Sequence, residues 1–257
     1  MNDPIHILSL GAGVQSSTLA LMAAAGEVTP MPTAAIFADT GDEPQEVYAW
    51  LQKLRSMVPF PVHTVSRSRL SDHITEWGQT QIPCFKRSAE TGKAVLGKRQ
   101  CTNHWKIVPI QKGMRAATGL TRVKLSLDAF VTWIGISTDE ASRMKDSRVR
   151  WIEHRYPLIE KMMSRRDCKS WLSARGLTVP KSACVYCPLR SRKQFRATKN
   201  AGGNDWETVL RVSRILEARG EYLTNDLLPI DQVDLSTEEE RGQGSLFLHD
   251  CGGHCGV

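Results

Sequence analysis

The stretch 5–25, IHILSLGAGVQSSTLALMAAA, decides how the rest of the chain is read. Ile5, Ile7, Leu8 and Leu10 form an apolar run of strand length. Gly11-Ala12-Gly13 follows at once, and residues 14–25 read as a helix. Leu19, Met22 and Ala23 recur at helical spacing, with Ser16, Ser17 and Thr18 in the first turn. A strand, a glycine turn and a helix start in that order make an anion site. The glycines allow close backbone approach, and the first helical N–H groups point at the ligand with the positive end of the helix dipole behind them. Ser16 and Ser17 can add hydroxyl donors. The Gly-Lys-Ser/Thr ending of a Walker loop is missing. The plainer alternative is a tight strand-to-helix turn with no ligand.

Outward from this unit the pattern repeats. Residues 34–38 (AAIFA) read as a second buried strand with Asp39-Thr40-Gly41 at its carboxyl end, where ligands of parallel sheets bind. A helix over 44–57 puts Val47, Trp50, Leu51 and Leu54 on one face, and 62–65 is a short third strand. Residues 70–77 suggest another helix, and the polar, basic stretch 78–106 a long loop or lid. A helix over 107–117, a strand over 130–137, a helix from the N-cap Ser164 to Arg175 closed by Gly176, and an amphipathic helix over 205–219 complete the pass. Alternating strands and helices predict an α/β fold with a doubly wound, mostly parallel sheet of Rossmann-like type. The expected division is an α/β domain over 1–160 and a small helical, cysteine-bearing region over 161–257, packed on the first.

Composition narrows the setting. The chain has 257 residues, 41% of them hydrophobic and 24% charged, as in an ordinary globular protein. No apolar run approaches the roughly 20 residues of a membrane span. The start, MNDPIHILSL, lacks the basic region of a signal peptide, so a cytoplasmic location is expected, with no membrane partner. In that reducing compartment the seven cysteines point to metal ligation or catalysis rather than disulfides. The net charge of +7 favours anionic partners such as nucleotides, RNA or DNA.

Cys184 and Cys187 form a C-x2-C pair in a Ser/Pro-flanked turn, a spacing at which two thiolates can grip one metal centre. Cys101, Cys168 (giving C-x15-C-x2-C) and Cys84 are the candidate partners, with a buried packing role as the alternative for Cys168. Among the basic residues of 78–106 and after, Lys86, Arg87, Lys98, Arg99, Lys106 and Arg143 are candidate anion contacts. Trp151 and Tyr156 are aromatics that either stack on a base or sit in the core.

Three stretches together carry a family resemblance: LSLGAGVQSS (8–17), DTGDEPQEVY (39–48) and CTNHWKIVPI (101–110). They resemble the phosphoadenylyl-sulfate (PAPS) reductase family of the adenine-nucleotide alpha-hydrolase, or PP-loop, superfamily. With RRDCKSWL and KSACVYCP, the look is that of members encoded by bacteriophages. The first stretch is similar to a modified PP-loop with a Gly-x-Gln core, and Gln15 stands where ATP-cleaving relatives carry Asp. The second matches Asp-Thr-Gly-x4-Glu-x-Tyr at Asp39, Thr40, Gly41, Glu46 and Tyr48. The third is similar to a Cys-Cys-x3-Lys-x2-Pro-Leu segment of the iron–sulfur branch, with Thr102 in place of the second cysteine.

The resemblance implies an adenine nucleotide, ATP or PAPS, held by Ser9, Gly11, Ala12, Gly13, Val14, Gln15, Ser16, Ser17, Asp39, Thr40, Gly41, Lys106 and Arg143. It implies a [4Fe–4S] cluster on Cys101, Cys168, Cys184 and Cys187, with zinc as the alternative and magnesium as a further candidate. The tail, Asp250-Cys251-Gly252-Gly253-His254-Cys255, is similar to a Glu-Cys-Gly-x-His reductase tail. Cys251 is then the catalytic thiol, alongside Asp39, and would take the sulfonate of PAPS and release sulfite after reduction by a thiol partner such as thioredoxin. Cys255 departs from that tail. Two rival readings stand beside it. One is an ATP pyrophosphatase or sulfurtransferase that adenylates and thiolates a nucleic acid. The other is a nucleotide- or nucleic-acid-binding module with structural zinc.

Overall fold

The computed structural model of the chain describes residues 3–236 and residue 240. Strand β1 (Ile5–Leu10) leads into α1 (Val14–Ala24), β2 (Ala34–Asp39), α2 (Gln45–Met57) and β3 (Val62–Ser66). Two short hairpins follow, β4 (Thr75–Glu76) with β5 (Gln79–Thr80), and β6 (Phe85–Arg87) with β7 (Ala94–Leu96). Then come α3 (Val108–Ala117), β8 (Phe130–Ile134), β9 (Ile152–Arg155), α4 (Pro157–Glu160), α5 (Arg165–Ser173), α6 (Arg192–Ala201), α7 (Gly203–Glu217) and β10 (Glu221–Tyr222).

The central sheet has five strands in the order β3-β2-β1-β8-β9, and every pairing in it is parallel. This is the doubly wound α/β arrangement that the alternation of strands and helices predicts. AAIFAD and FVTWI are nearly continuous apolar runs because strands of a parallel sheet are covered on both faces. Successive residues of β1 feed different cores. Leu8 and Leu10 join Leu19, Phe37, Trp50, Leu54, Trp133 and Leu172 beneath α1, α2 and α5. Ile7 joins Ile36, Met114 and Phe130 beneath α3. Packing on that second face is close: a Cβ on Gly113 would come within 2.6 Å of Val65 Cγ1.

A third core lies beside the sheet. It gathers Leu70, Ile74, Ile82, Cys84 and Trp105 with the 183–187 turn, Phe195 of α6, Val209, Val212 and Leu216 of α7, and Leu223 to Leu235. Segments on both sides of residue 160 thus share a core.

Local structure differs from the sequence reading in three places. Residues 70–77 are not one helix: a 3-10 turn over Leu70–His73 passes into the β4–β5 hairpin. Trp77 and Gly78 at its tip both have positive φ, the hallmark of a two-residue hairpin turn. The 78–106 stretch is not a lid without structure, since β6 pairs with both β7 and β10. It ends in a π-helical turn, Thr102–Ile107, that runs on into α3. Pro109 has no N–H to give the carbonyl of Trp105, which loosens the helical ladder there. Finally, the strand predicted to reach 137 stops at Ile134, before Gly135.

Candidate functional site

In an open parallel sheet the ligand crevice lies at the carboxyl ends of the strands, where the strand order reverses. Here that point is between β1 and β8. A cavity of about 590 Å³ opens there. Its walls include Ser9, Gly11, Gly13, Val14, Gln15 and Ser16 from the β1–α1 turn, Gly135, Glu140 and Arg143 after β8, Lys106 of the π-helical turn, and Lys181 and Ser182. Arg99, Lys145, Arg148 and Arg165 add to the basic side, against Glu140 and Asp146 on the acidic side. The wall is therefore strongly cationic.

The β1–α1 turn presents backbone donors to this cavity. No side chain caps α1, and its first turn holds no acidic residue. The first helical bond runs from Ser17 N to Gly13 O at 2.9 Å, so the amides of Val14, Gln15 and Ser16 precede the ladder. The left-handed residue of the turn is Ala12, with φ of 54°, and not a glycine. Gly13 packs beside Ser182, where a Cβ would make only an ordinary contact of 3.5 Å. Gly135 is tighter, since its Cβ would lie 2.9 Å from the amide nitrogen of Ser16. Any side chain at 135 would cover the helix start.

The side chains of the turn divide their work. Ser16 Oγ accepts from Gly11 N at 3.2 Å and donates to Gly13 O at 3.3 Å, which shapes the loop. Gln15 Nε2 donates to Glu140 Oε2 at 3.2 Å, and Arg143 meets the same carboxylate at 2.7 Å. Gln15, Glu140 and Arg143 thus tie the β1–α1 turn to the loop after β8. Ser17 is fully buried, and its Oγ accepts from Trp50 Nε1 at 2.8 Å. The sequence reading had Ser17 as an anion donor; here, as the fourth residue of α1, its hydroxyl points under the helix, to α2.

After β2 the chemistry is different. Asp39 Oδ1 accepts from Gly41 N at 2.7 Å and from Tyr48 OH at 2.8 Å. Burial, and then the Asp39 carboxylate, push the Tyr48 phenol above its usual range. Gly41 needs its φ of 76°, and a Cβ on it would press on Arg69. Thr40 Oγ1 lies 3.2 Å from Cys184 Sγ. Neither Asp39, Thr40 nor Gly41 lines the cavity described above, whereas Lys106 and Arg143 do.

The residue that organises this loop is Asp42, which the sequence reading passed over. It is buried and accepts from Arg69 Nε (2.9 Å), Ser71 N (2.7 Å), Ser71 Oγ (2.8 Å) and Tyr186 OH (2.7 Å). Its bond raises the Arg69 guanidinium further. Its carbonyl also accepts from Val185 N at 2.9 Å. Glu43, likewise buried, accepts from Ser182 Oγ at 3.0 Å and faces Lys106 Nζ at 3.6 Å. The cysteine turn is therefore built onto the β2–α2 loop, with Ser182 reaching the β1–α1 turn at Gly13.

Cys101, Cys184 and Cys187 pack in the same core beside Tyr186, and Cys84 joins them there. Burial pushes the Tyr186 phenol well above its ordinary range and lowers the Arg190 guanidinium. Cys168 lies in the other core, under α1, where burial pushes its thiol up to about 12. Its backbone carbonyl is 3.5 Å from Thr18 Oγ1. The donor chemistry of Cys101, Cys184 and Cys187 suits a thiophilic metal centre. Among the described residues, no three Cys, His, Asp or Glu side chains yet surround one point as a metal ion requires. Cys251, His254 and Cys255 lie outside the described residues.

The strand order and the crevice define a doubly wound α/β protein with a cationic cavity at its switch point. No protein-family model matches the chain, and no curated protein does. Among solved structures the chain is similar to the phosphoadenylyl-sulfate (PAPS) reductase from Candida auris in its phosphate complex. The TM-score is 0.42 and the identity 11%, over 69% of this chain and 76% of that one. No helix among the described residues is long and apolar enough to cross a membrane.

Proposed function

We propose that the chain is an enzyme that binds an adenine nucleotide in the β1/β8 crevice and reduces its sulfonate to sulfite, as a PAPS-reductase-like protein. The observation that carries the reading is the start of α1. It is uncapped and free of acid, and its amides line a cationic cavity at the switch point. The phosphates sit on the amides of Val14, Gln15 and Ser16, with Lys106 and Arg143 as flanking cations. The motifs shared with the PAPS reductase family supply the reaction class.

In this reading the Cys251 thiolate attacks the sulfonyl sulfur of PAPS. The S–O bond to the phosphate breaks, adenosine 3′,5′-bisphosphate leaves, and the enzyme holds an S-sulfocysteine. A dithiol of the thioredoxin class then reduces that bond, releases sulfite, and is itself oxidised to the disulfide. A [4Fe–4S] cluster, or zinc, on Cys101, Cys184 and Cys187 belongs to the proposal, and it would brace the cysteine turn against the nucleotide loop. Sulfite release from PAPS with a thioredoxin system tests the reading. Wild type should produce sulfite and Cys251→Ser none. Equal rates in the two proteins would overturn it.

A second reading has one observation of its own. Glu140 places a carboxylate 3.2 Å from Gln15 Nε2, beside the position where ATP-cleaving relatives carry Asp. A magnesium-bound ATP would find an oxygen ligand there, which suits an ATP pyrophosphatase that modifies nucleic acid. Pyrophosphate release from ATP, lost in Glu140→Gln, is its test.

A further inference from the structure

A second concavity lies on the other side of the π-helical turn, between the edge strand β3 and α3. It measures about 530 Å³ and is lined by Val65, Arg67, His104, Val108, Lys112 and Gly113, among others, with no carboxylate in its wall. The turn over 102–107 is a shared partition. Thr102, Asn103, Lys106 and Ile107 face the nucleotide crevice, and His104 faces the groove. The two concavities are thus separated by about one helix diameter, roughly 10 Å.

Arg67 and His104 of the groove wall also belong to a stacked column. Trp105 is fully buried at its base. The Arg67 guanidinium lies 4.2 Å from the Trp105 ring centroid and 5.0 Å from that of Trp77. Glu76 holds Arg67 Nη2 through both carboxylate oxygens at 2.8 Å. His104 sits 5.2 Å from Trp77, tilted by 56°. Trp77 tops the column and is 63% exposed.

Its backbone adds a second observation. Trp77 has φ of 51° at the hairpin tip, a left-handed conformation that favours Gly, Asn or Asp. A bulky aromatic held there, with its ring in water, is costly on both counts. The column backs one face of that indole and leaves the other in water. An exposed indole face beside a groove whose wall carries Lys112 and the Glu76-paired Arg67 suits unpaired bases for the ring and a phosphate for the lysine.

We infer that the Trp77 platform and the β3–α3 groove bind single-stranded nucleic acid. A base stacks on the outer face of Trp77, and the backbone follows the groove past Lys112. This site is independent of the nucleotide crevice, so the test is made without nucleotide.

The experiment is fluorescence anisotropy of a labelled oligo-dT and oligo-U with the full chain, against a duplex of the same length, over a salt series. Wild type should bind the single strands in preference to the duplex. Trp77→Ala should weaken binding about 5- to 160-fold, the range of one base–aromatic stack, and Trp77→Phe should retain most of it. Lys112→Ala should lower the salt slope by about 0.7, one single-strand phosphate contact. Thermal unfolding of each variant checks that it folds. Three results would overturn the inference: no single-strand binding by wild type at about 50 mM salt, equal binding by Trp77→Ala, or a duplex bound as well as the single strand. A groove that serves a protein partner would give the first of these.

Discussion

The loop after β1 and the loop after β2 sit side by side at the carboxyl edge of one sheet and use their polar groups in opposite ways. The first keeps its helix amides clear of internal caps and carries no acid. The second commits its carboxylates inward: Asp39 to Gly41 and Tyr48, Asp42 to Arg69, Ser71 and Tyr186, Glu43 to Ser182. The contrast teaches that adjacency to a crevice is not participation in it. The first loop lines the cationic cavity. The second is a buried frame that holds the cysteine turn against that loop.

The sharpest way to break this comparison is Asp42→Ala. It strands three buried donors, Ser71 N, Ser71 Oγ and Tyr186 OH, and unpairs the solvent-exposed Arg69 guanidinium, and should cost about 3 kcal/mol in denaturant unfolding. A loss under about 1 kcal/mol would mean that the frame carries little. Tyr186→Phe removes one donor from the same carboxylate and should cost about 1.5–3 kcal/mol. Its slower companion effect is faster labelling of Cys184 by a thiol reagent, because the turn loosens. Unchanged labelling with full stability would separate the turn from Asp42.

The underside of the first loop responds to pH. The Cys168 thiol, beneath α1, is raised by burial from an ordinary 9.0 to about 12. The folded chain keeps it neutral where the unfolded chain has ionised it. Its contribution is thus full below pH 9 and is lost as pH rises towards 12, by up to about 1.4 kcal/mol per pH unit. Cys84, also raised to about 12, adds in the same sense. Unfolding midpoints at about pH 8 and about pH 10 should differ less in Cys168→Ala than in wild type. The smallest effect belongs to Ala12→Gly, which relieves a left-handed alanine. It should stabilise the chain by about 1 kcal/mol or less, because glycine's added unfolded-state freedom offsets part of the gain.

Much of the first loop was legible in sequence because its determinants are local. The apolar run, the glycine turn and the helical spacing all fall within 5–25, and the helix after Ser164 announces itself through a cap that Asp167 completes three residues on. The S-x-x-Q pattern at Ser191 and Gln194 is an equally local signal for α6 that the sequence reading left unused. The second loop was misjudged because its partners are distant. Asp42 meets Ser71 across 29 residues and Tyr186 across 144, and no periodicity marks such a pair. Asp39 drew attention through its motif while the neighbouring Asp42 held the frame. The inward turn of Ser17 is a matter of helix phase against Trp50, 33 residues away. The exposed Trp77 escaped notice because an indole at a hairpin tip contradicts ordinary turn chemistry.

The central claim is that the start of α1 is the nucleotide site. Isothermal titration of the full chain with PAPS and with ATP, in wild type and in Gly135→Ala, tests it most directly. The added methyl would sit 2.9 Å from the Ser16 amide nitrogen. The account predicts a 1:1 heat of binding for wild type with at least one nucleotide, weakened at least about tenfold in a folded Gly135→Ala by the loss of an amide–phosphate bond. No binding of either nucleotide by wild type, or equal affinity in the two proteins, would contradict it.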